Sequence, residues 1–470
     1  MIQRPLKDIP LTVPGATRFD HMKRLSCYLI AVLAVWPMLA QTPPRRLVMI
    51  SVDGLMPATL QNAEKLGIRI PNLMEFRDKG AFSAGLVGVF PTVTYPSHTT
   101  MMTGRLPAEH GIISNTLFDP ERAMNGAWYW YSELIKVPTL WQAARQAGLT
   151  TGAVGWPVSV GAAIDYNFPE YGALRTLNDT LLYRSLVTPG LLAEFEKARG
   201  PMRATGGYFD DLLSTLAAYL VESRKPHLLL VHLIDLDHDQ HLHGPGSPES
   251  LRTLERIDGA IGKIREAVDK AGVAGGTRWI IVSDHGFFPV EKAFHPEAFL
   301  TSLGLGPRAD KPSTWRVSAH VAGGSAAFVL QDSKDTEARN AVTRALKNLK
   351  EEGTAGIDRV LSEEELRGMQ AYPHAFAAIS MTSGWTVGSE RSGPWVTPSP
   401  NTRGTHGYAP GPLQLDCTFI AFGPGIQARQ LPRGELTDVA VTAASLLGIP
   451  FPGAGGRNLL SPEARTPSRR

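Results

Sequence analysis

Residues 237–245 read Asp-His-Asp-Gln-His-Leu-His-Gly-Pro, which sets two carboxylates and three imidazoles within nine positions. So many ionisable groups exceed any packing need, because buried charge is costly unless it is paired or bound to metal. Asp237 and His241 stand four apart, so a helical turn sets both on one face. Carboxylate plus imidazole suits zinc. A solvated polar loop is the competing reading of this segment. Asp284-His285 directly follows the apolar run 278–283, where a turn can bring both to one ion or simply close a strand. Asp53-Gly54 ends a similar apolar run, 46–52. His406 lies between Gly404 and Gly407, whose freedom permits tight backbone geometry around a ligand; alone it is a weak signal. Thr94 precedes Tyr95-Pro96, placing a hydroxyl at a helix entrance, where backbone N–H groups point at an incoming anion. The same hydroxyl serves equally well as a helix cap.

These residues need a frame. Short β-branched runs at 46–52, 150–154, 227–234, 278–283 and 415–422 alternate with amphipathic segments. The helices expected are 71–79 with Pro at its first turn, 247–271, and 436–447 with Gly448 just beyond. Such alternation predicts an α/β fold with a mostly parallel central sheet and helices on both faces. Ligands gather beyond the carboxyl ends of such strands, where Asp53, Asp237 and Asp284-His285 fall. Residues 289–402 break the rhythm with short mixed pieces and Gly, Ser and Pro loops, and are expected to form an inserted cap. The catalytic body is then 41–288 with 403–460, and 461–470 a solvated tail.

The chain has 470 residues, 43% hydrophobic and 19% charged, enough to bury a full core. A net charge of +3, with cations scattered, gives no reason to expect binding of a nucleic-acid polymer. Met22-Lys23-Arg24, the apolar run 25–39 and small residues near Ala40 make a secretory signal peptide over 22–40, cleaved after Ala40. That run is shorter than the ~20 residues of a membrane span, so the mature protein is expected to be secreted or periplasmic. Residues 1–21 fit no signal pattern, which suggests a true start at Met22. Of two cysteines, Cys27 falls in the signal and Cys417 in an apolar run, as a buried thiol.

Taken together, these motifs resemble the nucleotide pyrophosphatase/phosphodiesterase family of the alkaline phosphatase superfamily, from Leu47 to about Leu460. The resemblance implies an alkaline-phosphatase-like fold and two Zn2+ per chain. One would be held by Asp53, Thr94, Asp284 and His285, the other by Asp237, His241 and His406. Within the acidic segment Asp235, Asp239, His238 and His243 compete; Gly244-Pro245 and the family spacing select His241 and Asp237. The resemblance further makes Thr94 the nucleophile of a phospho-threonine intermediate and Asn115 the grip on a phosphoryl oxygen. Tyr95 and Tyr171 would flank a nucleobase. The remaining histidines, His98 and His232 included, are assigned no role, and the aromatic run 128–131 is expected to pack beneath its loop.

Neighbouring families separate at few positions. Sulfatases carry a Cys or Ser nucleophile and an Arg where this chain has Thr94 and His98. Threonine-type alkaline phosphatases place Lys and Arg near 156–164, whereas no cation occurs between Arg145 and Arg175. A small-molecule phosphate diester, nucleotide-type first, is the expected substrate. A phosphomonoesterase or phosphonate hydrolase on the same site is the alternative, with a non-catalytic metal-binding protein behind it. Val158 stands where the family often has Gly.

Overall fold

The computed structural model describes residues 45–461, apart from 125–126, 173–176, 203–208, 308–310 and 312. The segment expected to be a signal peptide, the residues upstream of it, and residues beyond 461 lie outside the described residues. An eight-stranded sheet forms the centre, built from β1 (Arg46–Val52), β2 (Ala81–Ser83), β3 (Thr151–Val154), β4 (Tyr166–Phe168), β5 (Leu228–Leu233), β6 (Thr277–Val282), β7 (Phe419–Phe422) and β8 (Arg429–Leu431). The strand order is β8-β2-β7-β6-β1-β5-β3-β4. The run β6-β1-β5-β3-β4 is parallel throughout.

Alternation along these strands explains the two-faced burial. On β1, Leu47 and Met49 join one apolar cluster, while Val48, Ile50 and Val52 join another on the opposite face. β5 divides the same way, Leu228 and Leu230 against Leu229, Val231 and Leu233. Successive side chains point to opposite faces, so a strand buried on both must read as a continuous apolar run. Helices cover each face. On one lie α1 (Pro71–Lys79), α3 (Asp210–Arg224) and α5 (Pro248–Lys270). α5 starts where Ser247 accepts the Ser250 N–H and Pro248 takes the first turn, and it buries Leu254, Ile257, Ile261 and Ile264. α2 (Thr94–Thr103), α4 (Asp235–His243) and α6 (Asp438–Leu447) complete the elements used below.

Two differences from expectation stand out. The run 415–422 yields only the four-residue β7, antiparallel to β6 and β2. Its first half is drawn away: Leu415 and Gln414 carbonyls accept the Gly286 and Phe287 N–H groups, and Cys417 pairs with Leu86. The last helix starts at Asp438, because the buried Leu436 belongs to the turn before it.

Between β6 and β7 the chain builds an antiparallel four-stranded sheet, ordered Ile357–Ser362, Ala377–Met381, Ser325–Leu330, Val317–Ala322. Helix Thr336–Glu352 packs its buried Val342, Leu346 and Leu349 there, in an apolar cluster that also takes Tyr408 and Leu415. Among the described residues no helix is long and apolar enough to cross a membrane.

Candidate active site

Register brings the ends of three adjacent strands level. Val52 pairs with Leu233 and Ser51 with Val282, so Asp53, α4 and Asp284-His285 emerge at one edge. Asp284 Oδ1 accepts the Gly54 and His285 N–H groups, each at 3.1 Å. Gly54 has φ +71°, and a Cβ there would meet Phe287 at 2.6 Å, so this turn admits only glycine. His285 Nε2 lies 3.3 Å from Asp53 Oδ1 and 3.2 Å from Asp284 Oδ2.

The segment 235–243 is helical, which puts Asp237 and His241 on one face, with His241 Nε2 3.5 Å from Asp237 Oδ1. His406 Nε2 approaches the same oxygen at 3.5 Å. Both imidazoles are oriented from behind. His241 Nδ1 donates to Gly404 O at 2.8 Å, and His406 Nδ1 to Thr92 O at 3.0 Å. Those bonds fix the tautomer and leave each Nε2 lone pair facing Asp237. The competing residues are occupied or turned away. Asp235 accepts the Phe209 and Asp210 N–H groups, Asp239 accepts from the Thr253 hydroxyl, and His238 and His243 are exposed.

Electrostatics at this edge are unrelieved. Burial, then Asp284 and Asp237, pushes the Asp53 carboxyl well above its usual range. Burial raises Asp284 to about 6. Burial and its imidazole neighbours hold His285 well below the usual range, and burial takes His406 to about 4. Asp53 Oδ1, Asp237 Oδ1, Asp284 Oδ2 and both ring nitrogens of His285 are buried without a hydrogen-bond partner among the described residues. An orphaned buried polar atom costs about 1–3 kcal/mol. Oxygen and imidazole donors, crowded and unsatisfied, fit divalent cations of the zinc type. Asp53, Asp284 and His285 offer atoms within 4.8 Å of one another, as do Asp237, His285 and His406. His98, His232 and Asp284 also cluster. His98 is no ligand there, since Nδ1 donates to Thr94 O at 2.8 Å and Nε2 accepts from Ser51 Oγ at 2.9 Å.

Thr94 opens α2, and residues on either side of it in the chain touch both clusters. Two residues earlier, Thr92 orients His406; one turn later, His98 Nδ1 lies 3.7 Å from Asp284 Oδ2. The helix N-cap is Val93, with no side-chain cap, so the capping reading of Thr94 does not hold. Asn115 Oδ1 accepts the Tyr95 N–H at 2.8 Å, which makes the other end of its amide the donor.

Beside this edge lies a cavity of about 530 Å³ lined by Trp128, Trp130, Glu170, Tyr171, Leu213 and other apolar groups. Trp130 and Tyr171 rings stand 4.5 Å apart. Tyr95 is fully buried behind Trp128, with ring centroids 5.2 Å apart. The aromatic run therefore does more than pack: Trp128, 37% exposed, and Trp130 face the cavity, while Tyr129 turns inward with Ile112 and Val158. Bridges Thr116–Trp128 and Tyr131–Val160 hold it extended, so its alternation was a usable signal. Val158 has φ +54°, a conformation costly for a β-branched residue and free for glycine. His232 also escaped sequence reasoning, although it is the one polar side chain in the otherwise apolar β5.

A mostly parallel sheet with carboxylates and imidazoles gathered at adjacent strand ends places the chain among alkaline-phosphatase-like α/β proteins. Residues 47–409 match the family model of type I phosphodiesterase / nucleotide pyrophosphatase. The chain belongs to that family. It is 26% identical over 258 residues to human ectonucleotide pyrophosphatase/phosphodiesterase family member 1, covering 52% of this chain and 24% of that protein. To venom phosphodiesterase 2 of Crotalus adamanteus it is 24% identical over 250 residues, covering 51% and 26%. The matched part thus spans about a quarter of these relatives' length. Among solved structures, human ectonucleotide pyrophosphatase/phosphodiesterase 5 superposes with TM-score 0.64 at 20% identity, covering 88% of this chain and 99% of that one. The murine counterpart, an inactive form in complex with AMP, gives 0.63 at 19%, covering 89% and 100%. That likeness shows the fold.

Proposed function

We propose that this chain hydrolyses small phosphate diesters, nucleotide-type first, through a phospho-threonine on Thr94. The observation that carries the reading is the pair of unsatisfied carboxylate–imidazole clusters, touched by residues of the segment in which Thr94 opens a helix that has no side-chain cap. Asp53, Asp284 and His285, with Thr94, would hold one zinc, and Asp237, His241 and His406 the other. Bound there, such ions would supply Lewis-acid stabilisation of developing negative charge. The chain's own residues do the rest. Thr94 Oγ loses its proton and attacks phosphorus. The bond to the leaving oxygen breaks, and that oxygen takes up a proton as an alcohol. Water later cleaves the Oγ–P bond, releasing a phosphate monoester and restoring the Thr94 hydroxyl. The Asn115 amide N–H and the first N–H groups of α2 grip the non-bridging oxygens as charge grows.

Diester is favoured over monoester because Glu170 is the only charged group among the described cavity walls, and a dianion would find no cation there. Trp130 and Tyr171 offer the aromatic surface for a base, in keeping with the AMP held by the murine relative. Residues 289–402 act as a cap on this body, and the relatives' names as ectoenzymes agree with export after cleavage near Ala40. The test compares bis-p-nitrophenyl phosphate and thymidine 5′-monophosphate p-nitrophenyl ester with p-nitrophenyl phosphate, in wild type and Thr94→Ala. Diester preference, lost about a thousandfold or more in Thr94→Ala, is expected. A monoester preference, or full turnover without the hydroxyl, would sink the reading.

A further inference from the structure

Two groups left over from that chemistry, Glu170 and His232, complete a continuous chain of contacts from Asn115 to Asp53. Asn115 Oδ1 accepts the Tyr95 N–H at 2.8 Å, and the Tyr95 hydroxyl donates to Glu170 Oε1 at 3.0 Å. Glu170 Oε2 accepts from His232 Nδ1 at 3.1 Å, and His232 Nε2 donates to Asp53 Oδ2 at 3.1 Å. The imidazole has no freedom. Its nitrogens face only acceptors, Gly155 O among them at 3.2 Å, and His98 packs edge-on at 4.3 Å between centroids. The bond to Asp53 Oδ2 decides which carboxylate oxygen turns to the cluster, because Oδ1 is the one left bare 3.3 Å from His285. At the other end, Tyr95 is anchored through its hydroxyl while its N–H sets the Asn115 amide. Glu170 joins both halves. Its side chain is 25% exposed on the cavity wall, whereas those of His232 and Asp53 are 1% and 5% exposed.

We propose that Glu170 is a positioning residue, holding Asp53 through His232 and Asn115 through Tyr95. Groups behind a metal ligand fix its orientation, and their loss costs about 10–100-fold in metal affinity or activity. The carboxylate is suited to the task because its two oxygens accept from two donors at once.

The inference rests on Asp53 as a metal ligand, so its test reads metal uptake as well as turnover. Metal-free wild type, Glu170→Leu, Glu170→Gln and His232→Gln are titrated with Zn2+ against a chromophoric chelator, with melting curves as the check on folding. Wild type is expected to take up two ions. Glu170→Leu suits an apolar cavity wall, and should weaken one of the two sites about 10–100-fold while leaving the other unchanged. With zinc saturating, it should lower kcat on bis-p-nitrophenyl phosphate more than it raises KM. Glu170→Gln keeps an acceptor for Tyr95 or for His232 Nδ1 but not for both, so its metal affinity should fall between those of wild type and Glu170→Leu. His232→Gln, which leaves Glu170 and Tyr95 joined, should weaken the same single site. Two undiminished sites in Glu170→Leu and His232→Gln would overturn this proposal alone, as would a Glu170→Gln as defective as Glu170→Leu. Wild type that takes up no zinc would overturn the proposed function together with it.

Discussion

At the scale of single residues, Asn115 has two ends with different work. Its oxygen is committed to the Tyr95 N–H, so only the amide donor is available to a phosphoryl oxygen. A donor whose bond strengthens as charge accumulates contributes to kcat rather than to ground-state binding. Asn115→Ala should therefore lower kcat on bis-p-nitrophenyl phosphate by about 10²–10³ while KM changes little. Steady-state kinetics check this, and an effect confined to KM would assign Asn115 to substrate binding instead. Much of the site at this scale was legible because its residues are chemically unusual. Asp53, Asp284 and His285 follow apolar runs, and the acidic segment 235–243 is too rich in charge for packing. His232 and Glu170 were not legible. One imidazole in a strand and one carboxylate after Pro169 look ordinary until the fold sets them 3.1 Å apart.

At the scale of elements, α2 is the hardest to read and the most constrained. All ten of its residues are buried, yet Thr-Tyr-Pro-Ser-His-Thr-Thr-Met-Met-Thr has no apolar stripe. Several of its polar side chains are satisfied inside the protein: Thr99 and Thr103 bond back to carbonyls four residues earlier, and Thr100 Oγ1 meets His110 Nε2 at 3.1 Å, whereas Ser97 Oγ is buried with no partner among the described residues. By contrast α5, with its stripe of Leu and Ile, was legible to within a residue at each end. His110 ties α2 to the following turn, since its Nδ1 accepts the Ile112 N–H at 3.1 Å. Burial lowers its pKa to about 3. An unfolded histidine titrates near 6.5, so between those values the unfolded chain holds a proton that the folded chain refuses. The sign follows: stability is lost as pH falls through about 6.5, by about 2 kcal/mol at pH 5 from this residue. Urea unfolding of metal-free wild type and His110→Gln at pH 7 and pH 5 measures it. The wild type should lose more between the two pH values; equal losses would mean that His110 does not remain neutral in the fold.

At the scale of the whole molecule, the candidate ligands come from five distant stretches of chain, at 53, 94, 237–241, 284–285 and 406. That β6, β1 and β5 belong to a parallel sheet was legible because buried parallel strands are apolar throughout, but their order was not. The reversed β7 was not, because a short edge-side strand carries no sign of direction. Bringing these stretches together concentrates three carboxylates at one edge, with Asp53 pushed upward by burial, Asp284 and Asp237, and Asp284 by burial and Asp237. Such a frame is stabilised by whatever satisfies it, and a ligand that binds only the folded state adds RT ln(1 + [L]/Kd). At a free concentration of 100 Kd that is about 2.7 kcal/mol for each site. Zinc should therefore raise the melting temperature of the metal-free protein by several degrees, with a midpoint that keeps rising with zinc concentration. The rise should shrink in Asp237→Asn, which removes a carboxylate from one cluster and leaves the other whole. Thermal unfolding in zinc and in chelator measures both, and a melting temperature indifferent to zinc would leave the buried carboxylates without the cation that their burial requires.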